Sequence, residues 1–282
     1  MKKILVLATA GAGGDLQPLM AVALGLRERG HTPGFFGDAS VAAAVQGLAI
    51  DTDVSVPEHD LGPRLIATIK ESQGLQPAEQ GKRLEQQMTD LPPTHHYVGP
   101  LIWEAPAPVP AYLDEPGNPW VLVTLSSQQQ DDIPIAQMAL DTLAHQPVRV
   151  ALTVGSGHQP AELKRIPDNA RVEQYLPHSK VLERSRLLLS HAGHGSVMKA
   201  LWYGVPMLLA SWGRDQPGVA ARAERLGVAK VIARDELTVE RLAEAIQLVL
   251  EDRYIREAAR DVAQRLRTQE PVANACQLLE QT

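Results

Sequence analysis

From residue 121 onward the chain repeats one pattern: a short apolar run, a turn of small or polar residues, then a helical spacing of apolar side chains. Such runs fall at 121–125, 148–154, 187–190, 207–210 and 228–232, and the more polar 171–174 reads as a further short strand. Runs this short are strands rather than helices, and runs apolar at successive positions are buried on both faces, as in a parallel sheet. Helical spacing falls at 133–144, 237–251, 252–268 and 272–281. In the second of these, Leu242, Ala245, Ile246 and Val249 mark one apolar face. Strands alternating with helices predict an α/β fold with a doubly wound parallel sheet.

The same grammar opens the chain. An aliphatic run at 4–8 leads into Gly11-Ala12-Gly13-Gly14-Asp15. Leu19, Val22, Ala23 and Leu26 then follow at helical spacing within 16–29, and Gly30 sits where a helix-ending C′ glycine belongs. Phe35-Phe36 predicts a second strand, and 41–48 a second helix. Residues 51–63 read as irregular chain, and 65–70 and 79–88 as short helices. Prolines then crowd the sequence from Pro92 to Pro119, which predicts an extended linker. The expected organisation is a reduced N-terminal domain over 1–104, a linker to about 118 and a C-terminal domain over 119–268. A last helix, 269–282, is free to return to the first domain. Two such units facing each other would place strand ends and helix N-termini around one cleft.

Composition narrows the partners. A net charge of −6 with no long basic block argues against nucleic acid. Cys276 is the only cysteine, so no internal disulfide is possible. No apolar run reaches spanning length, and the glycines at 11–14 interrupt the first run too early for a signal peptide. A cytoplasmic location is expected. Aromatics are 4% of the chain, so a pocket must be lined mainly by aliphatic side chains.

The stretch Ser190-His191-Ala192-Gly193-His194-Gly195-Ser196 carries the most chemistry. Small residues at a strand-to-helix turn let backbone N–H groups approach an anion at the helix N-terminus. His191 reads either as a donor to that anion or as a histidine satisfied by backbone. His191 and His194 are three apart in a turn, with no clustered third ligand, so no metal is expected. Gly204-Val205-Pro206 and Asp215-Gln216-Pro217 follow. Asp215 fits a helix N-cap, with Pro217 in the first turn, and also fits a ligand for sugar hydroxyls. Ser126 and Ser127 end a strand, where small hydroxyls suit phosphate. Tyr175 is placed either to stack on a flat base or to pack internally. In the first turn, Gly11 and Gly13 fit a dinucleotide fingerprint, but Leu16 stands at its third glycine, which excludes a strong match. Asp15 reads as an N-cap or as a general base; a solvated Asp, with a pKa of about 3.9, needs partial burial for that work.

Together these residues resemble the donor-binding half of GT-B glycosyltransferases of the UDP-glycosyltransferase superfamily, most closely bacterial enzymes that glycosylate antibiotics and other natural products. The resemblance covers about 118–282 and, more loosely, 1–48. It implies two Rossmann-type domains and a nucleotide-diphosphate sugar as co-substrate, with no cofactor and no metal. It implies that His191, with Gly193, Gly195 and Ser196, holds the donor diphosphate, assisted by Ser126 and Ser127. Tyr175 and Leu176 fall where the family holds the base, and Asp215 and Gln216 where it holds sugar hydroxyls. Gly14-Asp15-Leu16-Gln17-Pro18 is similar to the Gly-Asp-x-x-Pro of sterol and glycopeptide glycosyltransferases, which implies Asp15 as catalytic base, with Gly13 and Gly14 on the acceptor side.

The implied reaction is inverting transfer, from a UDP- or dTDP-sugar such as UDP-glucose, to a hydroxyl of a small hydrophobic acceptor. Two departures bear on it. Lys199 stands where plant members carry a ribose-binding Glu, and reads as a solvated helix residue. The chain after residue 48 lacks a second set of βα units. The second departure motivates an alternative: a donor-binding or auxiliary protein completed by a partner or by a second copy. A nucleotide-sugar hydrolase or epimerase is a third reading.

Overall fold

The computed structural model describes residues 3–7, 16–36, 41, 45, 53–55, 96, 98–126, 132–213 and 215–281. They form two compact units. The described residues up to Pro106, with the segment from Arg267 onward, make the first, and Ala107–Leu266 the second.

In the first unit, β1 (Lys3–Leu7), β2 (Thr32–Phe36) and β3 (Asp53–Ser55) pair in parallel in that order. β3 corrects the expectation of irregular chain over 51–63. Its three residues, Asp-Val-Ser, are too few to show a period. Helix α1 (Leu16–Glu28) connects β1 to β2 and buries Leu16, Met20, Ala23 and Leu26 against Phe35, Val41 and Val45. Each of the leucine and methionine side chains contributes about 2 kcal/mol on leaving water. Gly30 ends α1 at φ +83°, while the N–H of Gly30 donates to Arg27 O and that of His31 to Leu26 O, so the last carbonyls are satisfied. The C-terminal helix, Pro271–Gln281, lies in this unit and packs on α1. Contact is close: a Cβ on Gly25 would stand 2.5 Å from Val272 Cγ1 and 3.0 Å from Cys276 Sγ. Arg29 and His31 both reach Glu280, at 2.7 and 3.1 Å. Cys276 is buried, and burial pushes its thiol above the usual range. The helices expected at 41–48, 65–70 and 79–88 lie wholly or mostly outside the described residues.

The second unit carries six parallel strands: β4 (Trp120–Thr124), β5 (Arg149–Thr153), β6 (Ala170–Glu173), β7 (Ser185–Ser190), β8 (Met207–Leu209) and β9 (Ala229–Val231). Their spatial order is β6-β5-β4-β7-β8-β9. Counted from β4 this is 3-2-1-4-5-6, the Rossmann order, whose direction of winding reverses between β4 and β7. Helices α2 (Ile133–Leu143), α3 (His178–Leu182), α4 (His194–Tyr203), α5 (Gln216–Arg225), α6 (Val239–Glu251) and α7 (Arg253–Arg267) cover the sheet. The helix at Pro271–Gln281 is therefore α8.

Period-two alternation divides the core cleanly. Val121, Val123, Leu187 and Leu189 face one layer with α2 and α6, while Trp120, Leu122 and Leu188 face the other with α4 and α5. Gly204 closes α4 at φ +69°, a left-handed conformation that allows the chain to turn directly toward β8. Helix α3 was not legible beforehand, because its five residues start behind Pro177 and are too few for a period.

The proline-rich segment is not a free linker over its last part. Leu113, in a 3-10 turn at Ala111–Leu113, is buried in the core, and its carbonyl accepts from Trp120 Nε1 at 3.4 Å. Arg149 donates to the carbonyls of Asn118 and Glu115 while its guanidinium lies 4.4 Å over the Trp120 ring. Arg184 pairs with Asp114.

Candidate functional site

At a winding reversal the loops after the two central strands diverge to opposite faces, which opens a crevice at the strands' C-terminal ends. Here those ends belong to β4 and β7. Thr124 and Ser190 pair across them, with Thr124 Oγ1 donating to Ser190 Oγ at 3.1 Å. The next residue after Ser190 is His191. A small hollow at this point is lined by Thr124, Asp132, Leu189, Ser190, His191, Ala210 and Trp212.

The turn from β7 into α4 is built tightly. Ala192 is fully buried and holds φ +66°, a left-handed conformation that costs a non-glycine residue about 1 kcal/mol. That conformation reverses the chain so that His191 lies back over Gly193. A Cβ at 193 would stand 2.5 Å from His191 Nε2 and 3.1 Å from Cε1. Gly193 itself has φ −60° and ψ 133°, which any residue adopts. It is therefore fixed by the approach of the imidazole and not by backbone strain. Gly193 is also the N-cap of α4 and provides no side-chain cap. Three first-turn N–H groups, of His194, Gly195 and Ser196, precede the first helical bond, made by Val197 N to Gly193 O. The half-buried imidazole of His191 lies against Gly193 at the start of α4, and a helix N-terminus of this kind is a place suited to an anion. His194 points outward and is exposed.

The other expected residues fall into three groups. Tyr175 is 44% exposed, and its ring stacks on His178 at 6.5 Å and 23°. Leu176 is 1% exposed and belongs to the core, so only its backbone is available to a base. Asp215 is exposed at the N-cap of α5 and makes no side-chain cap bond, which leaves its carboxylate for another partner. Gln216 is buried; its Oε1 accepts from the N–H groups of Trp212 at 2.8 Å and Gly213 at 3.3 Å. It ties down the loop after β8. Ser126 is buried, and its N–H donates to Asp132 Oδ2 at 2.8 Å. Lys199 is 5% exposed, which corrects the expectation of a solvated lysine. Asp15, Gly13, Gly14 and Ser127 lie outside the described residues.

Sequence reading missed Asp132, His158 and Trp212. Asp131-Asp132 before Ile133-Pro134 signals a helix N-cap, and nothing in it announces that the side chain turns inward. Trp212 lines the hollow, with the Arg234 guanidinium 4.7 Å over its ring. Among the described residues, no three His, Cys, Asp or Glu side chains gather as a metal would require. No helix among them is long and apolar enough to cross a membrane.

The fold is of the GT-B type, and the solved glycosyltransferases that share it include the following two. The glycosyltransferase of kitacinnamycin superposes with a TM-score of 0.76 at 20% identity, over 99% of this chain and 98% of that one. The glycosyltransferase VinC, in complex with dTDP, gives 0.72 at 16% identity, over 100% of both. Residues 137–280 match the family described as erythromycin biosynthesis protein CIII-like, C-terminal domain, and the chain belongs to that family. Among curated relatives, 4'-demethylrebeccamycin synthase of Lentzea aerocolonigenes is 30% identical over 195 residues. The match takes in 68% of this chain and 46% of that protein, so the chain spans about half of this relative's length.

Proposed function

We propose that the protein transfers a sugar from a nucleoside-diphosphate sugar to a hydroxyl of a small, hydrophobic natural-product acceptor, with inversion at the anomeric carbon. The observation that carries this reading is the anion seat at the β4/β7 switch point. There the His191 imidazole lies against Gly193, the N-cap residue of α4. Family membership and a fold shared with a dTDP-bound glycosyltransferase support it.

In the proposed reaction Asp15 accepts the acceptor's hydroxyl proton as its oxygen attacks the anomeric carbon. The bond from that carbon to the diphosphate oxygen breaks, and the nucleoside diphosphate leaves with the electron pair. Negative charge grows on the leaving phosphate, where His191 and the first-turn N–H groups of α4 donate to it. Tyr175 stacks on the base, and Asp215 accepts from sugar hydroxyls. Gln216 acts indirectly, by holding the loop that presents Asp215. No metal takes part.

Acceptor-dependent turnover tests the proposal. The full chain should glycosylate a polyphenol or macrolide aglycone from UDP- or dTDP-sugar, and Asp15→Asn should abolish transfer while donor binding persists. A variant that transfers as fast as the parent would remove Asp15 as base. The match to under half of a longer relative favours one second reading, that of a donor-binding or auxiliary protein completed by a partner or a second copy. Turnover by the purified chain alone would rule that reading out.

A further inference from the structure

Asp132 stands at the N-cap position of α2 yet makes no cap bond to its own helix. It is 2% exposed. Its carboxylate turns back to the strand end, where Oδ2 accepts from Ser126 N at 2.8 Å. Oδ1 faces His158 Nε2 at 2.8 Å, and His158 Nδ1 faces Glu162 Oε2 at 3.1 Å. Glu162 Oε1 in turn accepts from Gln159 N at 2.6 Å. Gln174 donates to the carbonyls of Gly155 and His158. The chain of contacts therefore ties together the loops that follow β4, β5 and β6. Carboxylates are acceptors, so an imidazole with one at each ring nitrogen donates from both, and that form is the cation.

Asp132 also lines the hollow that His191 lines. A buried carboxylate beside a diphosphate seat would oppose the ligand's charge, and the effect is large in a medium that water does not screen. We infer that Asp132 and His158 are positioning residues for the donor diphosphate: Asp132 anchors Ser126 at the switch point, and the His158 cation cancels the charge that this anchor brings. The inference rests on the glycosyl-transfer reading of the same site.

Charge cancellation predicts a sign that a purely structural brace does not. Calorimetric titration of the full chain with UDP or dTDP, against uridine as a phosphate-free control, reads it out. His158→Gln keeps a hydrogen bond to Asp132 but loses the charge, and should weaken diphosphate binding about tenfold. Uridine binding should change by less than about twofold, because the effect acts on phosphate charge. Adding Asp132→Asn restores a neutral, hydrogen-bonded pair, and the double variant should return to within about threefold of the parent. Asp132→Asn alone keeps an acceptor for Ser126 N and removes the opposing charge, so it should bind the diphosphate more tightly than the parent, with uridine unchanged. A double variant as weak as His158→Gln, or an unchanged His158→Gln, would overturn the inference. So would equal loss for uridine. Should His158→Gln not fold, the single Asp132→Asn variant decides: tighter UDP binding with unchanged uridine binding supports the inference, and unchanged or weaker UDP binding overturns it. A parent chain that binds neither nucleoside diphosphate refutes the glycosyl-transfer reading itself, which separates the two failures.

Discussion

Gly193→Ala is the sharpest perturbation of the anion seat, because it adds one methyl and leaves the backbone alone. At φ −60° and ψ 133° alanine is unstrained. The new Cβ would meet His191 Nε2 at 2.5 Å, and ordinary contact begins near 3.4 Å, so ring or methyl must yield by about 0.9 Å. The imidazole is half-buried and is the softer partner, so the ring moves. A displacement of about 1 Å at a charge-stabilising donor costs up to about 10²-fold in rate. Stability should fall by only about 1 kcal/mol, the cost of replacing glycine by alanine at an N-cap. Thermal melting and steady-state kinetics separate the two. The expected result is a small drop in melting temperature, with kcat/KM for the donor down about 10- to 100-fold. Kinetics equal to the parent's, with His191→Ala impaired, would refute the claim that Gly193 exists to seat the imidazole.

Further expectations are independent of that contact. Gly25→Val drives a side chain into Val272 and Cys276, so α8 must shift from α1, and the chain should lose at least about 2 kcal/mol by chemical denaturation. Dialysis against EDTA should leave turnover unchanged, since donor charge is balanced by His191 and helix N–H groups; loss of activity restored by Mg²⁺ would contradict this. Tyr112 has its pKa pushed up to about 12 by burial and by the Glu173 carboxylate, to which its hydroxyl donates at 3.2 Å. A phenol whose folded pKa lies above its unfolded value of 10.0 stabilises the fold below that value, and the contribution is lost as pH rises toward 12. Ultraviolet difference titration of the parent against Tyr112→Phe should therefore place this phenol's transition above the ordinary value of 10.0, and Glu173→Gln should bring it down.

Much of this fold was legible because parallel strands buried on both faces leave an unmistakable mark: Val121-Leu122-Val123 and Leu187-Leu188-Leu189 admit no amphipathic reading. Gly30 and Gly204 marked helix ends because their backbone conformation demands glycine. β3 and α3 escaped because three and five residues carry no period. The site divides in the same way. The placement of His191 and Gly193 at a strand-to-helix turn, and of Asp215 at a helix N-cap, was readable from local spacing. The inward turn of Asp132 and its bond to His158 were not, since those residues are 26 apart and meet only once β4 and β5 are paired. The resemblance places Gln216 at the sugar hydroxyls, and local spacing did not reveal that its amide oxygen accepts from the Trp212 and Gly213 N–H groups. Lys199 looked solvated on a polar-seeming helix turn and is buried, because that face of α4 lies against the protein.

The central claim is that the turn from β7 into α4 seats a nucleoside diphosphate. Calorimetric titration of the full chain with UDP and with dTDP, repeated on His191→Ala, tests it most directly. The account predicts saturable binding by the parent and a loss of at least about tenfold in the variant, the cost of one charge-assisted hydrogen bond. Binding of equal strength in both proteins would contradict it.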